Sequence, residues 1–128
     1  MGKVIVKLKI INTFDTTYQM EIEAVIDTGA TMLVLPADVI QQLHLREMRR
    51  VRVKYANGTI DDSRPVYGVV TVEIQKRAGE FNVLEEAVGT QALVGQIVLE
   101  QLDLIVDCGA GKVFPNPDSP EIPLLEIL

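Results

Sequence analysis

Apolar and polar residues alternate along much of the chain, which is typical of strands with one buried face. Residues 3–11 place four apolar side chains on one face and two lysines on the other: Val4, Val6, Leu8 and Ile10 opposite Lys7 and Lys9. Residues 19–26 alternate in the same way, after a polar, turn-like stretch at 12–17. The two stretches predict a hairpin of antiparallel strands whose far end delivers Asp27.

The remaining pattern predicts further short strands and two short helices. Residues 32–35 are apolar and predict a strand, and Pro36 suits the first turn of a helix that ends near His44. Further strands are predicted at 51–56, 59–62, 69–74, 81–84 and 104–107, a second helix at 96–102, and turns at 57–58 and 77–80. Pro65 marks a break or an edge position. The predicted fold class is therefore mainly β with one or two short helices.

Composition limits the class of protein. With 128 residues, of which 48% are hydrophobic and 23% charged, the chain suffices for one domain with a core and is too short for two. Because the net charge is −6 and no basic stripe is present, we expect no nucleic-acid partner. No apolar run approaches the ~20 residues of a membrane-spanning helix, so we expect no membrane association.

The chain has a single cysteine and a single histidine, and this limits the disulfide bonds and metal sites that it can form. The one cysteine, Cys108, excludes an intrachain disulfide, and the one histidine, His44, has no second histidine with which to hold a metal ion. We therefore expect neither a metal nor another cofactor. The first seven residues alternate like a strand and do not resemble a signal peptide, so the expected location is cytoplasmic.

A carboxylate follows directly on the second strand, in the string Ala24-Val25-Ile26-Asp27-Thr28-Gly29-Ala30-Thr31. Aspartate is rarely buried without a partner, so Asp27 either caps a turn or takes part in chemistry. For Asp-Thr-Gly alone the two interpretations are balanced. The longer string, continued by four apolar residues and Pro36, resembles the active-site loop of the retroviral-type (retropepsin-like) aspartic proteases.

This resemblance implies a closed β-barrel of the acid-protease (retropepsin-like) type, with Asp27, Thr28 and Gly29 as catalytic residues. In such enzymes two Asp side chains about 3 Å apart share one proton, because both cannot be ionised. Thr28 is expected to tie two loops together through its hydroxyl, and Gly29 to let backbone approach backbone. Ala30 is expected to leave room for substrate beside the carboxylate.

Two further stretches extend the resemblance. By itself, Asn57-Gly58 predicts an ordinary hairpin turn. In this family, however, a hairpin at this distance after the catalytic loop is the flap that closes over substrate, so Asn57 and Gly58 are both expected to bind substrate. Residues 92–102 resemble the family's Gly-containing strand and following helix, in which Gly95 would let the strand pass close beneath the catalytic loop. Next to this glycine the family often has Arg, Met or Asn, whereas this chain has Gln96. The ion pair between an arginine and a carboxylate at that position is therefore absent, which resembles cellular members of the family more than viral ones.

The second aspartate could come from the same chain or from another copy. Asp107-Cys108-Gly109-Ala110 echoes the first motif, but the continuation to Pro36 is not repeated and Cys108 lacks a hydroxyl. We therefore expect a homodimer in which Asp27 appears twice, with Asp107 forming only a turn. Residues 1–114 are the predicted protease domain. Residues 115–128 form a Pro-rich arm that either folds back on its own domain or, as the family implies, lies at the dimer interface.

The function predicted is that of an aspartic endopeptidase that hydrolyses an extended peptide or protein substrate with water and without a metal. Its groove is expected to prefer apolar side chains, with Val34 and Leu35 in the lining. One alternative is a catalytically silent peptide-binding or oligomerisation module on the same fold. Another is an unrelated small β-barrel in which Asp-Thr-Gly is only a turn.

Overall fold

The computed structural model describes residues 3–127, so residues 1, 2 and 128, at the ends of the predicted domain and arm, lie outside the described residues. Within that range the strands and helices are β1 Ile5–Asn12, β2 Gln19–Ile26, β3 Leu33–Pro36, α1 Ala37–Gln42, β4 Arg46–Lys54, β5 Ile60–Ile74, β6 Arg77–Glu86, β7 Leu93–Val94, α2 Gln96–Leu102, β8 Leu104–Asp107 and β9 Lys112–Pro115. Neither helix has the length and apolar character needed to cross a bilayer.

Six of the strands pair into a closed ring. Their order is β1-β2-β7-β3-β6-β5, and β5 returns to pair with β1, with Ile10 opposite Val72. β4 extends β5 beyond the ring as one arm of a long hairpin, and β8 and β9 form a separate two-stranded sheet. The predicted mainly-β, closed architecture with two short helices is confirmed.

The core fills the inside of this ring. The predicted inward face of β1 is buried, as are the alternate residues Val70, Val72 and Ile74 of β5. Both helices pack on the same cluster through Ile40 of α1 and Val98 of α2. Because burying one such side chain contributes about 1.5–3 kcal/mol, this cluster is the main source of stability and holds the loops at the strand ends in place.

The turn predicted at residues 77–80 is wrong, because those residues belong to β6. The chain reverses at Gln75 and Lys76, which both have positive φ values, 52° and 68°. Arg77 is buried and donates hydrogen bonds to two carbonyl groups at the end of α2. A Cβ on Gly79 would lie 2.8 Å from a side chain of α2, so this glycine serves close packing and not a turn.

The hairpin of β4 and β5 is longer than predicted. β4 begins at Arg46, which pairs with Gly68, and not at residue 51. Pro65 does not break β5, which is one continuous strand. Pro65 pairs with β4 alone, because pairing of β5 with β6 begins only at Val66. The edge position predicted for Pro65 is therefore confirmed, and the long hairpin reaches beyond the ring.

Part of the Pro-rich arm bonds its own domain, whereas its apolar end stays exposed, with Leu124, Leu125 and Ile127 at 63%, 60% and 94%. The carboxylate of Asp103 accepts hydrogen bonds from the side chains of Ser119 and Asn116 and from the backbone N–H of Leu124 at 3.0 Å. Hydrogen bonding, from Ser119 above all, lowers the pKa of Asp103. The placement of the arm at a dimer interface stays a prediction.

Candidate active site

Asp27 lies at the end of β2, in a tight loop. Its backbone N–H donates to the carbonyl of Val94 at 3.0 Å, which ties the loop to β7. Its side-chain Oδ1 accepts the N–H of Gly29 at 3.0 Å, and its carbonyl accepts the N–H of Ala30. The Asx-type turn of the simpler interpretation is therefore present. It also fixes the half-buried carboxylate in one orientation.

The start of α2 supports this loop from below. The N–H of Gln96 donates to the carbonyl of Ala30 at 2.8 Å, and the N–H of Ile97 to that of Thr31 at 3.0 Å. Gly95 passes so close that a Cβ there would lie 2.3 Å from the carbonyl oxygen of Met32. The close crossing predicted at Gly95 is confirmed, and the loop is bonded to the start of α2.

A cleft of about 540 Å³ separates the loop from the hairpin of β4 and β5. This volume lies within the range typical of ligand sites. Apolar side chains form much of its wall: Met32, Val34, Val51, Val53, Leu84 and Leu93. Val34 lines the cleft as predicted. Leu35 is wrong as a lining residue, because neighbouring strand residues point to opposite faces and Leu35 is 0% exposed in the core.

The predicted catalytic residues occupy one loop. Asp27, Gly29 and Ala30 line the cleft, while Thr28 is exposed beside them. The structure therefore brings the carboxylate, the glycine and the small residue together at the cleft. The role expected of the Thr28 hydroxyl, which is to join two loops, stays a prediction.

The two residues predicted at the flap tip, Asn57 and Gly58, form the turn between β4 and β5. Gly58 has a φ of 86° and donates its N–H to the carbonyl of Tyr55 at 2.9 Å. Asn57 accepts the N–H of Thr59 through Oδ1 at 2.9 Å. Neither tip residue lines the cleft, whereas Tyr55 and Ala56 just before them do. The predicted turn is confirmed, and the substrate contact stays a prediction.

Sequence reasoning missed a polar cluster at one end of the cleft. The Tyr55 hydroxyl donates to Oε2 of Glu86 at 2.7 Å, and the guanidinium of Arg64 donates to Oε1 at 3.1 Å. The hydrogen bond to Glu86, followed by burial, raises the pKa of Tyr55 above 10.0. The three residues lie on separate segments that no periodic pattern connects. The available signal was the change from an apolar run to paired acids at Leu84-Glu85-Glu86.

The cleft receives two carboxylates from the described part of the chain, and they differ in their partners. The carboxylate of Glu86 is occupied by Tyr55 and Arg64, whereas the carboxylate of Asp27 bonds only its own loop. Asp107 lies outside the cleft, where its Oδ1 accepts the N–H of Ala110 at 3.0 Å, so its predicted role as a turn former is confirmed. Within residues 3–127, no three His, Cys, Asp or Glu side chains cluster as metal ligands do.

A closed ring of strands that holds an Asp-Thr-Gly loop across a cleft from a β-hairpin defines the class of retroviral-type aspartic proteases. Residues 17–101 match the family model described as "gag-polyprotein putative aspartyl protease", and the chain belongs to this retropepsin-like family. No curated protein sequence matches the chain. Among solved structures, the EIAV protease complexed with the inhibitor HBY-793 is similar with a TM-score of 0.59 and 18% identity, over 79% of this chain and 88% of that one.

Proposed function

We propose that the protein is an aspartic endopeptidase and that a homodimer forms its active site. The observation that carries this proposal is the position of Asp27, which a loop bonded to β7 and α2 holds in the lining of an apolar-walled cleft. The family relationship supports the same chemistry. Asp27, Thr28 and Gly29 of each copy are the proposed catalytic residues.

The proposed reaction is the addition of water to a peptide carbonyl. Two Asp27 side chains, one from each copy and about 3 Å apart, share one proton. The ionised carboxylate removes a proton from water, and the protonated one donates to the carbonyl oxygen. The first carboxyl, which now holds the proton from water, then protonates the amide nitrogen as the C–N bond breaks, and the second takes back the hydroxyl proton of the tetrahedral intermediate, so the pair again holds one proton. Since the pair works when it holds one proton, activity is expected to peak at mildly acid pH and to fall on both sides.

The need for a second copy follows from the carboxylates of the cleft. In residues 3–127, Glu86 is paired with Arg64 and Asp107 lies elsewhere, so one chain offers Asp27 without the mate that the reaction requires. Thr28 and Gly29 are exposed, as residues that meet another chain must be in the separate subunit. Ile97, whose N–H bonds the same loop, is also exposed, at 45%.

The substrate proposed is an extended peptide with apolar side chains beside the scissile bond. Val34, Leu84 and Leu93 offer such side chains an apolar wall. The hairpin of β4 and β5 is placed to cover the peptide, and its backbone can add hydrogen bonds as in strand addition. Asn57 and Gly58 at its tip are proposed to close over the substrate.

A matched pair of variants tests the proposal. Asp27→Asn should abolish cleavage of a mixed peptide library, read by mass spectrometry, while the melting temperature changes little. Asp15→Asn makes the same change at an aspartate that also accepts a backbone N–H two residues further on, in the turn at the opposite end of β2, and should leave cleavage unchanged. Sedimentation should show a dimer, and specific activity should fall on dilution as the dimer dissociates. Cleavage that survives in the Asp27 variant, or a fully active monomer, contradicts the proposal.

A further inference from the structure

The backbone of Tyr55 makes the hydrogen bonds that close the turn between β4 and β5. Its N–H donates to the carbonyl of Thr59 at 2.8 Å, and its own carbonyl accepts the N–H of Gly58 at 2.9 Å. These bonds make Tyr55 and the turn one unit, so any contact of the Tyr55 side chain also sets the position of the tip.

That side chain reaches from the hairpin to the ring of strands. Its hydroxyl donates to the carboxylate of Glu86 at 2.7 Å, and Glu86 is the last residue of β6, where it pairs with Pro36 of β3. Hydrogen bonds that involve an ionised group are stronger than those between neutral groups. The contact therefore joins the tip of a projecting hairpin to the wall of the cleft.

The acceptor is itself held in place. Arg64 donates to the other oxygen of Glu86 at 3.1 Å and also donates to the carbonyl of Glu85. The side chains of Arg64 and Glu86 are only 21% and 22% exposed. Arg64 lies on β5 opposite Val51, so it joins the base of the hairpin to the same carboxylate that Tyr55 joins nearer the tip, and it offsets the charge of Glu86.

The tip has few other contacts with the ring. Residues 56–60 are exposed, and a Cβ built on Gly58 would meet no atom within 4 Å. A segment with so few buried contacts opens at low free-energy cost. One strong hydrogen bond close to the tip thus has a large share in setting where the hairpin lies.

We propose that Tyr55 and Glu86 form a clasp, a hydrogen bond that holds the tip of the hairpin over the cleft in the position required for substrate, beyond the point where Arg64 holds its base. Both residues line the cleft, and about 540 Å³ remains beneath the clasped hairpin. The clasp thereby orders the hairpin before substrate arrives, which lowers the entropy lost on binding. Both are positioning residues, since neither takes part in the proton transfers. The effect on catalysis rests on the proposed function; the effect on the hairpin does not.

The donor of the clasp keeps its proton at the pH at which a pair of aspartates works. The hydrogen bond to Glu86, followed by burial, raises the pKa of Tyr55 from its ordinary value. The hydroxyl therefore keeps its proton in acid and neutral solution and remains a donor.

Kinetics of Tyr55→Phe and Glu86→Ala, with the double variant, test the positioning role. We expect each change to raise KM for one library-derived fluorogenic peptide about tenfold and to change kcat less than about twofold, because ordering of the hairpin favours ground and transition states alike. Glu86→Ala also removes the Arg64 ion pair, so its loss should be at least that of Tyr55→Phe, and the double variant should lose no more than Glu86→Ala alone. Glu86→Gln, which keeps an acceptor, should restore much of the affinity. Tyr18→Phe is the matched control, because Tyr18 stacks on His44 outside the cleft.

Hydrogen–deuterium exchange of the wild-type protein and the variants supplies a reading that needs no activity. Tyr55→Phe should speed exchange of the backbone amides of residues 55–59, and Tyr18→Phe should not. Unchanged exchange overturns the clasp, and faster exchange with an unchanged KM overturns its positioning role. If exchange rises as expected while the wild-type protein cleaves nothing, the clasp stands and the proposed function fails.

Discussion

Gly95 and Met32 approach each other so closely that residue 95 has no room for a side chain. A Cβ at this position would lie 2.3 Å from the carbonyl oxygen and 2.8 Å from the backbone nitrogen of Met32. These neighbours are backbone atoms, which cannot move aside as the end of a side chain can. The crossing holds the loop of Asp27 against the start of α2 and so couples the candidate active site to the core.

We expect Gly95→Ala to damage both stability and activity. The added methyl group forces the loop and α2 apart, and overpacking of this kind costs about 3 kcal/mol. The same shift stretches the bond between the N–H of Gln96 and the carbonyl of Ala30. Urea unfolding measures the first effect, and the cleavage rate under fully folded conditions measures the second.

Gly109→Ala is the control for this substitution. A Cβ on Gly109 would lie 3.5 Å from the carboxylate of Asp107, an ordinary contact, so we expect a small change in the free energy of unfolding. If both variants unfold at the same urea concentration, the close crossing at Gly95 is not the constraint described above.

The parts of the site that are contiguous in sequence could be predicted. Asp27, Gly29 and Ala30 follow one strand directly, and Asn57-Gly58 is a turn whose chemistry is local. The hydrogen bond between Tyr55 and Glu86 could not be predicted, because the two residues become neighbours only when β4, β5 and β6 come together. Tertiary pairing, and not local preference, creates that part of the site.

In the fold, too, features set by local sequence could be predicted, and features set by tertiary packing could not. Alternation predicts β1 and β2 because one face of each is packed and the other is not. It misplaces the turn before β6, because Gly79 looks like a turn residue while its lack of a side chain serves packing against α2. The real turn at Gln75 and Lys76 carries no Gly, Asn or Asp to mark it.

Arg77 should contribute strongly to stability. It is 5% exposed and donates to the carbonyls of Leu102 and Asp103 at 3.1 and 3.0 Å. Arg77→Met leaves these acceptors without their donor, at an expected cost of about 2–4 kcal/mol in urea unfolding. Arg52→Met is the comparison, since the Arg52–Asp62 pair is exposed and should contribute less than about 1 kcal/mol. Equal effects of the two changes would contradict this view of Arg77.

Asp103 should make the stability of the protein depend on pH in the acid range. Hydrogen bonds from Ser119, Leu124 and Asn116 lower its pKa in the folded state below the ordinary value of 3.8. The stabilisation is thus fully present above pH 3.8 and is lost as the pH falls through the folded-state pKa. Wild-type protein should therefore lose stability below pH 3.8 more steeply than Asp103→Asn in urea unfolding at several pH values. Parallel curves for the two proteins would rule out this contribution.

Ile105 and Phe114 should mark a surface that the proposed homodimer covers. They lie directly opposite each other on β8 and β9 and are 38% and 36% exposed, on the face turned away from the core. β8 also contacts α2, whose start bonds the loop of Asp27, so this sheet is linked through α2 to the loop that is proposed to meet its copy.

Phe114→Ser should therefore weaken self-association about tenfold or more, as loss of an aromatic residue at an interface does, and should lower activity most at low protein concentration. Phe14→Ser removes a more exposed phenylalanine, 81% accessible, from the turn before β2, at the opposite end of that strand from Asp27. It should change neither sedimentation nor activity. Identical dimer dissociation constants for the two variants would show that the β8–β9 face is not part of the interface.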